Sequence, residues 1–164
     1  KPPLDRARLA RHDVHRIVEL GKSVLQHPVE LLPGIREAVA EISHERPVVL
    51  ITKGDLFHQE AKVRDSGLSD LFPRIEIVSE KDTATYNRLL AEFGLAPEQF
   101  AMIGNSLRSD IVPVLALGGC GVHMPYHLTW THEAETAPPS AIERLRSVQA
   151  PAELPAAVRS LAAS

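Results

Sequence analysis

A single cysteine among 164 residues, Cys120, provides no internal disulfide and no metal-finger spacing. Its expected role is that of a small buried residue at a strand start. No apolar run approaches the length of a membrane span, and the opening residues carry no signal-peptide pattern. No basic block tracks a nucleic-acid backbone, and the net charge is −3, so non-specific nucleic-acid binding is not expected. Internal repeats and low-complexity segments are also missing. Hydrophobic residues make up 44% of the chain and charged residues 24%, the balance of a soluble globular domain with a real core. A cytoplasmic location is the default expectation.

The order of elements suggests the fold class. Residues 1–25 have Ala10, Val14, Ile17, Val18, Gly21 and Leu25 at the helical period, and His27-Pro28 ends the run. Pro33-Gly34 opens a second helix, with Ile35, Ala38, Val39 and Ile42 on one stripe. Val48–Thr52 is a continuous apolar run without alternation, which suits a strand buried on both faces. Expected next are a helix over 56–66 stopped by Gly67, and a strand over 75–78. A helix over 83–93 carries Tyr86, Leu89, Leu90 and Phe93, and a strand over 100–103 follows it. The chain then predicts a helix over 111–117, with Pro113 in its first turn, and a strand over 120–124. After a long loop come two modest helices, 141–148 and 154–162. Strands alternating with helices imply an α/β fold, a parallel sheet covered on both faces.

Ligands in such sheets collect outside the carboxyl ends of the strands, so the polar turns there have two readings. Thr52-Lys53-Gly54 is either a strand end with a turn glycine, or a hydroxyl and two backbone N–H groups that cradle an anion. Lys81, within Glu80-Lys81-Asp82, reads by itself as a surface lysine. Asp110, near a helix start, reads by itself as a favourable N-terminal charge. Gly104-Asn105-Ser106 offers a close backbone approach and, with Asp110, hard oxygen donors suited to Mg²⁺.

Taken together and in this order, Thr52, Lys81 and Gly104-Asn105-Ser106-Leu107-Arg108-Ser109-Asp110 resemble the second, third and fourth motifs of the haloacid dehalogenase-like hydrolases. The resemblance spans about residues 29–124. Supporting context comes from Leu32-Pro33-Gly34, Lys62, Ser66-Gly67-Leu68, Leu71-Phe72 and Tyr86. It implies a Rossmann-like three-layer core over 29–164, with 1–28 as a helical cap segment or linker. It also implies hydrolysis of small phosphomonoesters through an aspartyl-phosphate. Thr52 and the N–H groups of Lys53 and Gly54 would hold phosphoryl oxygens. Lys81 would neutralise charge between nucleophile and phosphate, and Asp110 with Asn105 would place Mg²⁺. A transferring phosphoryl group needs positioning and charge compensation more than covalent help. The partner implied is a small phosphorylated metabolite, with neither nucleic acid nor membrane.

Two departures stand out. Asn105 occupies a position where many relatives carry aspartate, which shifts weight to Asp110. No Asp-x-Asp occurs in the chain, whose aspartates are Asp5, Asp13, Asp55, Asp65, Asp70, Asp82 and Asp110. In the family that motif ends a central first strand, with sheet order 5-4-1-2-3. Without it the strands at 48–52 and 100–103 would stand about 9.6 Å apart with nothing bonded between them. Each unpaired buried backbone group would cost about 1–3 kcal/mol. The expectation is that an N-terminal part of the working protein, carrying the nucleophile, precedes Lys1. A non-catalytic relative used for ligand sensing or assembly is the alternative. Carbon–halogen hydrolysis fits less well, because its members resemble a Ser-Ser-Asn turn at the fourth motif. His12 with His15, and His123, His127 and His132 near Tyr126 and Trp130, fit no zinc signature. They read as a solvated helix face and a packed loop.

Overall fold

The computed structural model describes residues 15–17, 19, 29–126 and 139–162. The chain divides into two compact units, Lys1–Glu30 and Leu31–Ser164. In the first unit residues 15–17 and 19 are helical, and Ile17, expected on an inner face, is 58% exposed. His12, His127, Trp130 and His132 lie outside the described residues, as does most of the expected first helix.

The second unit is a parallel α/β fold. Helix α1, Ile35–Glu45, leads into strand β1, Val49–Lys53, and helix α2, Leu56–Asp65. Strand β2, Arg74–Val78, and helix α3, Thr83–Phe93, follow. Strand β3, Ala101–Gly104, leads through a wide π-helical turn, Leu107–Ile111, into the short helix α4, Val112–Leu117. Strand β4 is Cys120–His123, β5 is Leu145–Ser147, and helix α5 is Leu154–Ala162.

Local chemistry accounts for several boundaries. Asp55 caps α2 by accepting the His58 N–H, and Asp82 caps α3 by accepting the Thr85 N–H. At the other end of α3, Gly94 turns left-handed at φ 69°, and the Leu95 N–H reaches back to Leu90 O at 3.0 Å.

All pairings are parallel, but they form two sheets: β1 with β2, and β3-β4-β5 in that order. Among the described residues no hydrogen-bonded ladder joins β1 to β3. Among the described residues three buried clusters flank the strands, the smallest being Ile111, Leu115 and Ala141 beside Leu145 of β5. Tyr86 and Leu89 of α3 and Val114 of α4 pack with Ile51 of β1, Val78 of β2 and Met102 of β3. Ala38 and Ile42 of α1 and Leu154, Val158 and Leu161 of α5 pack with Val122 of β4. Met102 joins the first core and Ile103 flanks the second, as the period-two alternation of a strand requires.

One expected element is different. Residues 141–148 were expected to be helical, but Pro139–Arg144 is a 3-10 helix and Leu145–Ser147 is the strand β5. Arg144 donates to the carbonyls of Leu115 and Gly119 at 3.1 and 2.8 Å. That pins the segment beside β4, where Gly121 pairs with Leu145. Open ladder positions on β4 outweigh a weak helical preference of a short segment.

Candidate functional site

Parallel pairing puts the carboxyl ends of the strands on one rim. Lys53 is in register with Val78, and Gly104 with His123. Ion pairs connect the turns beyond. Lys53 Nζ meets Glu80 at 2.5 Å, and Lys81 Nζ meets Asp110 Oδ1 at 2.8 Å. The three turns after β1, β2 and β3 therefore converge, and the sequence-predicted Lys81 and Asp110 are in direct contact.

Asp110 is the centre of the β3 turn. Ser106 starts the π-helical turn, its hydroxyl accepting the Ser109 N–H at 3.2 Å. This folds Asp110 back over the strand end, where it is 4% exposed. Its Oδ2 accepts the Ser106 N–H at 3.0 Å while Oδ1 takes the Lys81 ammonium. The close approach depends on Gly104, because a Cβ there would lie 2.3 Å from Asp110 Oδ2. A carboxylate so buried is tolerable only because it is both paired and hydrogen-bonded.

Tyr86, fully buried in the core, supports this turn from below by donating to Ser109 O at 3.1 Å. Burial pushes its phenol well above the usual range, and the nearby Asp110 charge pushes it further. Asn105 is exposed, and its backbone carbonyl lies 3.0 Å from His123 Nε2.

The β1 turn is more open. Thr52 Oγ1 donates to Gln59 Oε1 at 2.9 Å. The Gly54 N–H donates to Val78 O at 3.1 Å, extending the sheet by one bond. Thus that amide, expected to face an anion, serves the sheet in this arrangement. Gln59 and Tyr86's bond to Ser109 went unforeseen. Gln59 lies seven residues after Thr52, and only the fold of α2 against β1 brings them together. Tyr86 was read as a core residue, which it is, while its hydroxyl's partner depends on the π-helical turn.

Among the described residues no group of three or more His, Cys, Asp or Glu side chains is placed to hold a metal. Oxygen-bearing side chains on the turns beyond the strands include Asp110, Asn105, Thr52 and Glu80. A separate cavity of about 420 Å³, lined by Leu56, Glu60, Val63, Arg64, Ser69, Ile75 and Ile77, includes none of the turn residues. No described helix is long and apolar enough to cross a membrane.

The family model for haloacid dehalogenase-like hydrolases matches residues 3–118. A haloacid dehalogenase-like family hydrolase from Xanthomonas campestris is 58% identical, with a TM-score of 0.83. The alignment covers 96% of this chain and 62% of that protein, so the chain spans less than two thirds of its length. A predicted phosphoglycolate phosphatase from Haemophilus somnus shares the fold at 15% identity and a TM-score of 0.65, covering 88% of this chain and 64% of that one. The putative HAD-hydrolase YfnB from Bacillus subtilis, bound to magnesium, is 20% identical with a TM-score of 0.61, covering 76% and 54%. Among curated proteins none matches significantly.

Proposed function

Because the chain belongs to the haloacid dehalogenase-like hydrolases, we propose that the whole protein hydrolyses small phosphomonoesters with Mg²⁺, through an aspartyl-phosphate. The observation that carries this reading is the Lys81–Asp110 pair, with Asp110 buried and Lys81 half-buried, at a rim shared with the Thr52 turn. An ammonium and a carboxylate held together beside a hydroxyl-bearing turn suit a ligand that is itself strongly anionic.

The roles follow from chemistry. Thr52 Oγ1 and the Lys53 N–H bind phosphoryl oxygens, with Gly54 giving the backbone room. Lys81 lowers the repulsion between an attacking carboxylate and the phosphate, and Asp110 holds Lys81 in place. The nucleophile is an aspartate that this chain does not contain within an Asp-x-Asp, carried by a segment ahead of Lys1. The separate edges of β1 and β3 offer a parallel strand its place. Its carboxylate attacks phosphorus as the ester P–O bond breaks, a general acid protonates the leaving oxygen, and water then hydrolyses the acyl phosphate.

The donor set suits Mg²⁺, which is commonly held by one or two carboxylates together with water and substrate phosphate. Asp110 and Asn105 would hold it here, and when bound it neutralises developing charge on the phosphoryl oxygens. The reading is tested with the full-length protein and p-nitrophenyl phosphate. Phosphate release that depends on Mg²⁺ and stops with a chelator is the expected result. Binding of inorganic phosphate without any turnover would favour a non-catalytic ligand-binding protein instead.

A further inference from the structure

The Thr52 hydroxyl has one proton to give, and Gln59 Oε1 takes it at 2.9 Å. The same carboxamide lies against Gly54. A Cβ built there would stand 2.8 Å from Gln59 Nε2 and 3.4 Å from its Cδ, at a left-handed φ of 143°. Gln59, half-buried in the second turn of α2, therefore lies over both ends of the Thr52-Lys53-Gly54 turn. A phosphoryl oxygen seated in that turn needs the Thr52 proton that Gln59 now holds.

A carboxamide can resolve this conflict where an acceptor-only side chain cannot. Rotating by half a turn exchanges its acceptor for its NH₂ donor. The NH₂ group then donates to Thr52 Oγ1, and the hydroxyl proton is released toward the anion. We propose that Gln59 is a positioning residue of the phosphate-binding turn. It holds the Thr52 proton when the turn is empty and directs it to a phosphoryl oxygen when the turn is filled. This rests on the phosphomonoesterase reading above.

The test compares full-length wild type with Gln59→Glu and Gln59→Ala, using p-nitrophenyl phosphate turnover and inhibition by inorganic phosphate. Glutamate keeps the shape and the acceptor, but when ionised it cannot donate and it faces the anion with like charge. Gln59→Glu is expected to raise KM and the phosphate inhibition constant about tenfold at neutral pH, with kcat changed less. The defect should shrink as pH falls toward the ordinary glutamate range. Gln59→Ala should be milder, at about threefold. If Gln59 only fills space against Gly54, the order inverts: Glu resembles wild type, Ala is the damaged variant, and the proposal is overturned. An active wild type with an unchanged Gln59→Glu overturns this inference alone. A wild type that neither turns over substrate nor binds phosphate removes the phosphomonoesterase reading and this inference with it.

Discussion

The turn after β3 and the turn after β1 both end buried parallel strands in Gly-containing polar sequences, yet they are built differently. After β3, Asp110 is only 4% exposed, each carboxylate oxygen has a partner, Lys81 on one and the Ser106 N–H on the other, and Tyr86 braces Ser109. After β1, the ion pair between Lys53 and Glu80 lies in solvent, with 49% and 64% of the side chains exposed. Thr52 there has a neutral amide for a partner. Coulomb attraction gains strength where water is excluded and fades where water screens it. The β3 turn therefore behaves as a fixed electrostatic frame. The β1 turn is held more weakly, by a hydrogen bond between neutral groups and an ion pair screened by water.

The sharpest way to break this contrast is to remove Asp110. Asp110→Ala leaves the Lys81 ammonium, with 15% of its side chain exposed, without its counter-charge. A loss of about 3 kcal/mol is expected, at the low end for a broken buried pair because Lys81 retains some access to water. Urea midpoints would measure it. The double variant with Lys81→Met should recover part of the loss, whereas a frame held mainly by backbone would show no recovery.

A middle-sized effect is expected at Tyr86. Tyr86→Phe removes the donor to Ser109 O and should cost about 1 kcal/mol. It should also alter the alkaline limb of stability. The folded phenol titrates above its ordinary value, so its contribution is complete below about pH 10 and is lost as pH rises beyond that. Wild type should lose stability there relative to Tyr86→Phe, read from melts across the alkaline range. Parallel curves would mean that the phenol is not held as described.

The smallest effect belongs to the exposed pair. A double-mutant cycle on Lys53 and Glu80 should give a coupling of only about 0–1 kcal/mol, diminished further by salt. A coupling as large as that of Lys81 with Asp110 would erase the distinction between the two turns.

Much of this design was legible in advance. Helix α3 spans the expected residues 83–93, and β1 to β4 lie within a residue or so of their apolar runs. Thr52, Lys81 and Asp110 stood out by type and order along the chain. β5 did not, because Leu145–Ser147 takes its conformation from the free edge of β4 and the anchoring of Arg144. Nor did Gln59, since a helix-surface glutamine carries no signal until the turn beneath it is known.

By itself the sequence determined the alternation of strands and helices, the family, and the residue types gathered at the strand ends. The alternation follows from local periodicity and turn chemistry, which act over a few residues, whereas the family was legible through the resemblance of Thr52, Lys81 and Gly104 to Asp110, in that order, to known motifs. The fold in three dimensions was needed to show that Asp110 is buried against Gly104 and Lys81, that Gln59 covers the Thr52 turn, and that Leu145–Ser147 joins β4 as a strand. Those outcomes depend on contacts between segments far apart in the chain, where packing and the exclusion of water set which polar groups must pair.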